Sequence, residues 1–210
     1  MTAHDIPAGL IAILRGVRPD EVVDVAAGIV EAGFSAIEVP LNSPDPLDSI
    51  ASLVREFGNR VEVGAGTVLT ADQVDECAAA GAEIIVSPDV DPAVIARTLD
   101  RGLTPYPGAA TPTEAFAALK AGARRIKVFP SAAVGISGMR AWREVMPPDV
   151  RLLPVGGVGP EDIAAWHEAG AAGFGIGSAV YRRGDSPESV RARAEAIASA
   201  WAAVHRSSAD

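Results

Sequence analysis

Short apolar runs alternate with longer amphipathic stretches along almost the whole chain. Eight of the runs have the length and the β-branched or apolar character of buried strands, and an Ala-rich amphipathic stretch of helical period fills each gap. The runs begin near Ile11, Ala36, Val61, Ile84, Thr104, Ile126, Leu152 and Phe174. The pattern predicts eight consecutive β/α units.

The ends of the predicted helices carry their own signals. Several stretches end in a glycine that follows Ala or Arg, as expected for a left-handed residue after the last helical turn. These glycines are Gly33, Gly81, Gly102, Gly122 and Gly170. Thr70 and Thr111 each stand three residues before Gln or Glu and predict capping boxes, while Ser43–Pro44 and Asp91–Pro92 predict a cap followed by Pro at the first helical position.

Eight β/α units in 210 residues predict one domain over residues 1–210, folded as a parallel eight-stranded (β/α)8 TIM barrel. In that fold the catalytic groups lie at the C-terminal ends of the strands. A doubly wound open sheet is the alternative. No Gly-x-Gly-x-x-Gly follows the first strand, where residues 11–16 are Ile-Ala-Ile-Leu-Arg-Gly, so a dinucleotide site is not expected.

Charge and composition exclude several classes of partner. The net charge is -9, and the basic residues form no cluster larger than a pair, which argues against nucleic acid and acidic membranes. The single cysteine, Cys77, indicates a packing role in a reduced, cytoplasmic protein, and no apolar run suits a membrane span or a signal peptide. His4, His167 and His205 lack metal-ligand spacing, so neither a metal nor another cofactor is expected.

Lysine is rare in this chain. Two lysines stand against sixteen arginines, and Lys127 lies in the apolar strand segment 126–130. Only a primary amine forms an imine with a ketone, and arginine is always protonated, so Lys127 is a candidate for Schiff-base chemistry. Ile126 and Val128 are the natural outward neighbours, which turns Lys127 inward.

Glu38 repeats this arrangement in the second strand, between Ile37 and Val39. Both charged side chains are therefore expected in one interior, as nucleophile and acid/base or as a structural salt bridge. Burial would lower the pKa of Lys127, whereas an ionised Glu38 would raise it, and the sequence leaves the balance open.

Further candidates follow other strands. Arg15 ends the first strand and is a candidate to grip a carboxylate, or an ordinary loop arginine. Thr67 follows two glycines that leave space beside the backbone, and is a candidate ligand contact or a helix-entry turn. Val155-Gly156-Gly157 and Gly177-Ser178 end the last two strands, where backbone N–H groups commonly hold a phosphate; tight turns are the alternative.

With these motifs, the chain resembles the class I aldolases of the 2-keto-3-deoxy-6-phosphogluconate and 6-phosphogalactonate family from Ile11 to about Ser178. The motifs are Ile-Glu-Val-Pro-Leu-Asn-Ser-Pro at 37–44, Val-Gly-Ala-Gly-Thr-Val at 63–68, Pro-Gly-x-x-Thr-Pro-Thr-Glu at 107–114, Lys-Val-Phe-Pro at 127–130 and Val-Gly-Gly at 155–157. Asn42 and Val155 make it more similar to the galactonate branch than to the gluconate branch, which typically has Arg and Thr there.

The resemblance implies a homotrimer that cleaves a small phosphorylated 2-keto-3-deoxy sugar acid without a metal. It implies a Schiff base at Lys127, acid/base work by Glu38, carboxylate contacts from Arg15 and Thr67, and phosphate contacts. The implied phosphate contacts are Gly157, Gly177 and Ser178. Three other hypotheses stay open: an aldolase for 2-dehydro-3-deoxy-6-phosphogluconate or 4-hydroxy-2-oxoglutarate, a phosphosugar isomerase or epimerase that uses Glu38 alone as base, and a phosphosugar-binding protein without catalysis.

Overall fold

The computed structural model describes residues 9–207, which form nine strands and eight helices. The strands are β1 (Leu10–Ile13), β2 (Ala36–Pro40), β3 (Glu62–Gly66), β4 (Ile84–Val86), β5 (Thr104–Tyr106), β6 (Gly108–Ala109), β7 (Arg125–Val128), β8 (Arg151–Pro154) and β9 (Phe174–Ile176). The helices are α1 (Val22–Glu31), α2 (Pro46–Phe57), α3 (Ala71–Ala79), α4 (Pro92–Asp100), α5 (Pro112–Lys120), α6 (Ser131–Val145), α7 (Ile163–Glu168) and α8 (Pro187–Ser207). His4 lies outside the described residues. The predicted domain over 1–210 also extends beyond them, so the single domain stays a prediction.

The strands pair in parallel and form two sheets. One has the order β5-β4-β3-β2-β1-β9 and the other the order β6-β7-β8. Each of the eight predicted strand starts lies within one residue of an observed start. The alternation of strands and helices is therefore confirmed.

The predicted closed barrel of eight strands is wrong. The fifth predicted strand is divided at Pro107 into β5, which pairs with β4, and β6, which pairs with β7. The carbonyl of Pro107 accepts from the N–H of Lys127 at 2.9 Å, but proline has no N–H to donate to the other side. The hydrogen-bonded ladder changes sheets at this residue.

A second interruption separates β8 from β9. The N–H groups of Arg151 and Val155 donate toward β7, so strand alternation turns position 154 toward β9. Residue 154 is proline and has no N–H there. Among the described residues, β8 and β9 are not paired as a ladder; an isolated β-bridge joins Val155 to Gly175 at this junction.

Alternate strand residues face two environments, as their period of two requires. Ile37, Ile126 and Val128 belong to the large core between the strands and the helices, which confirms their predicted outward orientation. A smaller cluster, with Ile11 from the first sheet and Leu153 from the second, fills a common interior. Side chains of both sheets therefore meet inside the molecule.

Most of the predicted helix ends are confirmed. The five predicted terminal glycines have φ between 73° and 107°. Thr111 forms a complete capping box, Thr70 accepts from the N–H of Gln73, and Asp91 accepts from the N–H of Ala93. None of the helices in the described range has the length and apolar character needed to cross a membrane.

The predicted cap at Ser43 is wrong. Helix α2 begins later, at Pro46, after Asp45 in a left-handed conformation. The hydroxyl of Ser43 instead accepts a hydrogen bond from the N–H of Gly16 at 2.9 Å. A sequence-distant partner thus replaces the local role, and ties the loop after β2 to the loop after β1.

Candidate active site

A pocket of about 560 Å³ opens where the strands end at their carboxyl side. Seven of the eight predicted site residues line it. They are Arg15, Thr67, Lys127, Val155, Gly157, Gly177 and Ser178. The eighth, Glu38, lines a small cavity of about 10 Å³ that Lys127 and Val155 also line. The structure therefore brings all eight residues together around Lys127.

Lys127 projects from β7 into this interior and is 6% exposed. Its Nζ lies 4.5 Å from the centroid of the Phe129 ring, close enough for a cation–π contact when the amine is charged. Phe129 was not singled out in the sequence. Its position two residues after Lys127, on the same face of the strand, is the signal that predicts a shared pocket.

Glu38 projects from β2 and is 1% exposed. Its Oε2 has no hydrogen-bond partner among the described residues. A Cβ placed on Gly66 would lie only 1.9 Å from this oxygen. The space that the sequence predicts beside Gly66 is therefore occupied by the Glu38 carboxyl group.

The structural salt bridge between Lys127 and Glu38, the alternative to a catalytic pair, is not formed. Among the ion pairs of residues 9–207, none joins these two side chains within 4.0 Å. Their charges nevertheless influence one another through the poorly solvated interior.

Burial shifts the two groups in opposite directions. It raises the pKa of Glu38 to about 7, against the lowering effects of Lys127 and then Arg15. It also lowers the pKa of Lys127, although the Glu38 charge acts to raise it. Burial therefore decides the balance that the sequence left open. Each shift favours the uncharged form of its group, the free amine of Lys127 and the protonated carboxyl group of Glu38.

Arg15 lies in the exposed loop after β1. Its Nη1 donates to Oδ1 of Asn42 at 2.5 Å, and the next residue, Gly16, donates its N–H to Ser43. Two hydrogen bonds therefore connect the loop after β1 to the loop after β2. A guanidinium held in this way still has donors left for a carboxylate, because it carries five N–H groups.

Thr67 is half-buried and adopts φ 58°. This left-handed conformation is unfavourable for a β-branched residue, and such strained positions concentrate at functional sites. Helix α3 begins only at Ala71 and has Thr70 as its cap. Thr67 therefore does not cap the helix, and its side chain lines the pocket.

The glycine-rich strand ends leave polar backbone groups facing the pocket. A Cβ on Gly157 or Gly177 would meet no atom within 4 Å, so both face open space. Within residues 9–207, the N–H groups of Gly157, Ser178 and Ala179 donate no hydrogen bond to the protein. Unpaired N–H groups beside an open pocket suit a phosphate.

Val155 is buried at the side of the pocket nearest β9. A Cβ on Gly175 would lie 2.7 Å from its Cγ2, so the glycine makes room for the valine side chain. Val155 therefore presents an apolar surface to the pocket without a hydrogen-bonding group.

Other lining residues were missed by the sequence analysis. Tyr181 and Arg182 follow β9, and Nε of Arg182 donates to the carbonyl of Ser178 at 3.1 Å. A helical turn after Gly177 brings Arg182 back to Ser178. The sequence alone does not predict this turn, so it does not indicate that Arg182 lines the pocket. In the described part of the chain, no group of three or more His, Cys, Asp or Glu side chains is arranged to hold a metal ion.

Comparison with known proteins gives a consistent picture. The sequence model of the family "KDPG and KHG aldolase" matches residues 6–190. The 2-dehydro-3-deoxy-6-phosphogalactonate aldolase of Escherichia coli K12 is 46% identical over 192 residues, which cover 91% of this chain and 94% of that protein. The chain described as native KDPGal is 45% identical with a TM-score of 0.92, over 94% of this chain and 96% of that one.

A further similar structure is an engineered assembly. It is a cube-shaped, highly porous protein cage designed by fusing symmetric oligomeric domains, with 44% identity and a TM-score of 0.94 over 96% of this chain and 75% of the other. The family match covers far more than half of the sequence, and the geometry of the pocket agrees with it. The chain therefore belongs to the KDPG and KHG aldolase family.

Proposed function

We propose that this chain is a class I aldolase, a lyase that cleaves 2-dehydro-3-deoxy-6-phospho-D-galactonate to pyruvate and D-glyceraldehyde 3-phosphate. The observation that carries the proposal is the pair formed by Lys127 and Glu38: two buried groups in one interior, without a direct ion pair, whose pKa values burial moves toward each other. The similarity to a relative named for this substrate supports the choice of sugar acid.

The reaction begins with the neutral amine of Lys127, which attacks the C2 ketone of the substrate. The carbinolamine loses water after Glu38 donates a proton to the departing hydroxyl group, and an iminium ion remains. Glu38, now a carboxylate, takes the proton of the C4 hydroxyl group, the C3–C4 bond breaks, its electrons flow into the iminium, and the aldehyde leaves. The resulting enamine takes a proton at C3, and water releases pyruvate and restores the amine.

Glu38 suits the proton transfers in this sequence. A general acid/base works best when its pKa is near the operating pH, and burial brings the pKa of Glu38 to about 7. The iminium is the electron sink, so no divalent cation enters the proposed mechanism.

The two ends of the substrate have matching groups in the pocket. Arg15 and Thr67 are proposed to bind the carboxylate beside C2, on the side of the pocket formed by the loops after β1 and β3. Backbone N–H groups at Gly157, Gly177 and Ser178 are proposed to bind the phosphate. Backbone amides hold an anion locally, which suits a chain of net charge -9.

We also propose that the chain assembles as a homotrimer. The similarity to a chain built into a cage from symmetric oligomeric domains supports an oligomer. Analytical ultracentrifugation distinguishes a trimer from a monomer or dimer of the 21.5 kDa chain.

Reductive trapping tests the covalent step. Borohydride with pyruvate is expected to inactivate the protein and to add a pyruvate-derived mass at Lys127, because reduction turns the imine into a stable secondary amine. Lys127→Arg keeps a positive charge and should neither trap pyruvate nor cleave substrate. Lys120→Arg is the matched control, since Lys120 is the exposed second lysine, and it should behave as wild type. Label at Lys120, or no label, would reject the mechanism.

The substrate is tested by a direct comparison of C4 epimers. Pyruvate release is measured from the phosphorylated galactonate and gluconate substrates under the same conditions. A higher kcat/KM for the galactonate epimer is expected. The reverse preference would assign the chain to the gluconate activity, and release from neither would remove the proposed function.

A further inference from the structure

Ser131 lies between the candidate catalytic strand and the glycine-rich end of β8. It is the first residue of α6 and is only 3% exposed. Its N–H donates to the carbonyl of Val155 at 2.9 Å, and its Oγ donates to the carbonyl of Gly156 at 2.5 Å. One residue therefore holds two consecutive carbonyl groups of the segment that lines the pocket.

This contact has a geometric consequence for the next amide. In a trans peptide the C=O and N–H groups lie in one plane and point in opposite directions. Because the carbonyl of Gly156 points to Ser131, the N–H of Gly157 points away from Ser131. That N–H donates to no protein group within the described residues, and Gly157 faces open space in the pocket.

The segment needs such a restraint. Gly156 and Gly157 have φ of 101° and 76°, and glycine moves among many conformations at little cost. Without a fixed carbonyl, the peptide between them is free to rotate, and its N–H would leave the pocket. The hydroxyl of Ser131 supplies that restraint from a buried and well-packed position.

The end of β9 holds its amide by a different means. The carbonyl of Gly177 accepts from the N–H groups of Val180 and Tyr181, at 2.9 and 3.1 Å. The same planarity then turns the N–H of Ser178 away from this turn. Backbone hydrogen bonds orient the amide after β9, whereas after β8 a side chain does so.

We propose that Ser131 is a positioning residue, which orients the N–H of Gly157 toward the substrate phosphate. This inference rests on the proposed function, because it assigns the pocket amides to a phosphate. It gives Ser131 no part in the chemistry at Lys127, although the two residues are only four positions apart in the sequence.

The test separates the phosphate end from the imine end. Ser131→Ala removes the hydroxyl donor, and inorganic phosphate is used as a competitive inhibitor of cleavage. Loss of one oriented hydrogen bond is expected to weaken inhibition by phosphate, and to raise KM for the phosphorylated substrate, by about 2- to 13-fold. The kcat and the rate of imine trapping with pyruvate should stay within about twofold, since pyruvate carries no phosphate.

Three further variants keep the result interpretable. Ser35→Ala is the matched control, because the Ser35 hydroxyl also donates to a backbone carbonyl, that of Leu10, at the opposite end of the strands. It should leave phosphate inhibition unchanged. Ser131→Thr retains the hydroxyl and should restore inhibition, and Ser131→Cys, with similar size and a weak donor, replaces Ser131→Ala if that variant does not fold.

Two results would overturn the inference while leaving the proposed function intact. One is unchanged phosphate inhibition in Ser131→Ala. The other is a parallel loss of imine trapping and phosphate inhibition, which would indicate general disturbance of the loop. If the wild-type protein traps no pyruvate and cleaves neither epimer, the proposed function fails instead; phosphate binding measured directly by calorimetry on wild type and variant still decides the role of Ser131.

Discussion

Strand β7 carries two buried basic residues, Arg125 and Lys127, and their surroundings differ. Both face the same interior, since they are two residues apart. Arg125 forms an ion pair with Glu62 at 3.3 Å, donates to the hydroxyl of Tyr106, and has its guanidinium carbon 5.3 Å from the centre of the Tyr106 ring. Lys127 has Glu38 nearby but no ion pair with it among the described residues.

The difference separates a structural pair from a reactive one. A buried charge that is paired and hydrogen-bonded is satisfied, and its proton is held firmly. A buried amine and carboxyl group without a direct partner cost stability, and their pKa values move toward neutrality. Such a cost is typical of functional sites, where reactivity requires groups that are not satisfied by one another.

Pocket size does not reveal this difference. The pocket at the other end of the strands, lined by Glu62 and Glu83, has a volume of about 700 Å³, larger than the 560 Å³ beside Lys127. No lysine lines it in the described part of the chain. The chemistry of the lining residues, rather than the volume, identifies the candidate active site.

After the loss of Lys127 itself, the largest effect is expected when the reactive carboxyl group of Glu38 is removed. Glu38→Gln keeps the shape of the side chain but cannot exchange protons, so turnover should fall by about 10² to 10⁴. Steady-state kinetics measure the loss, and trapping with pyruvate shows whether Lys127 still forms the imine. Near-normal turnover would demote Glu38 to a structural residue.

A change in the structural pair, Arg125 and Glu62, should instead lower stability and leave the chemistry at Lys127 intact. Arg125→Met removes the guanidinium that pairs with the buried Glu62, and breaking a buried pair typically costs about 3 to 5 kcal/mol. We expect that loss in the free energy of unfolding, measured with a chemical denaturant, while pyruvate trapping per folded molecule persists. A variant of normal stability that no longer traps pyruvate would reverse the assignment of the two pairs.

The pH dependence of stability provides a third comparison. The pKa of Glu38 is about 7 in the folded chain and about 4.3 when unfolded, so the folded state binds the extra proton. The contribution of Glu38 to the free energy of unfolding is fully present below the pKa of the unfolded chain. It is lost as the pH rises through the folded pKa of about 7. The whole loss is about 4 kcal/mol.

Glu38→Gln removes that dependence. Relative to wild type, the variant should gain stability between pH 5 and pH 8, with the gain approaching about 3 kcal/mol. Release of Lys127 from the Glu38 charge acts in the same direction, because it lowers the pKa of the amine further. Denaturant titrations of both proteins across this range measure the difference. Parallel curves would show that Glu38 is ionised throughout.

The smallest effect is expected at an uncharged residue of the same pocket. Val155→Thr adds a hydroxyl group at nearly constant volume, on a side chain that fits against Gly175. One hydrogen bond to a C4 hydroxyl in the gluconate configuration changes kcat/KM by about 2- to 13-fold. The ratio of kcat/KM for the two epimers should shift toward gluconate by that factor, with little change in pyruvate trapping. An unchanged ratio would leave Asn42 as the remaining branch-specific residue.

Local patterns were sufficient to predict much of this molecule. The eight strand starts follow from apolar runs, and the inward orientation of Glu38 and Lys127 follows from a side-chain period of two. The terminal glycines of the helices follow from the left-handed conformation that glycine tolerates. Each of these properties depends on residues close together in the sequence, so the sequence determined them by itself.

Other properties were decided only in three dimensions. The division of the strands into two sheets depends on which neighbours Pro107 and Pro154 face, and the role of Ser43 depends on Gly16, 27 positions away. The missing ion pair between Lys127 and Glu38 and the direction of the Lys127 pKa depend on distance and burial. These quantities arise when distant segments pack together and exclude water, and no local pattern contains them.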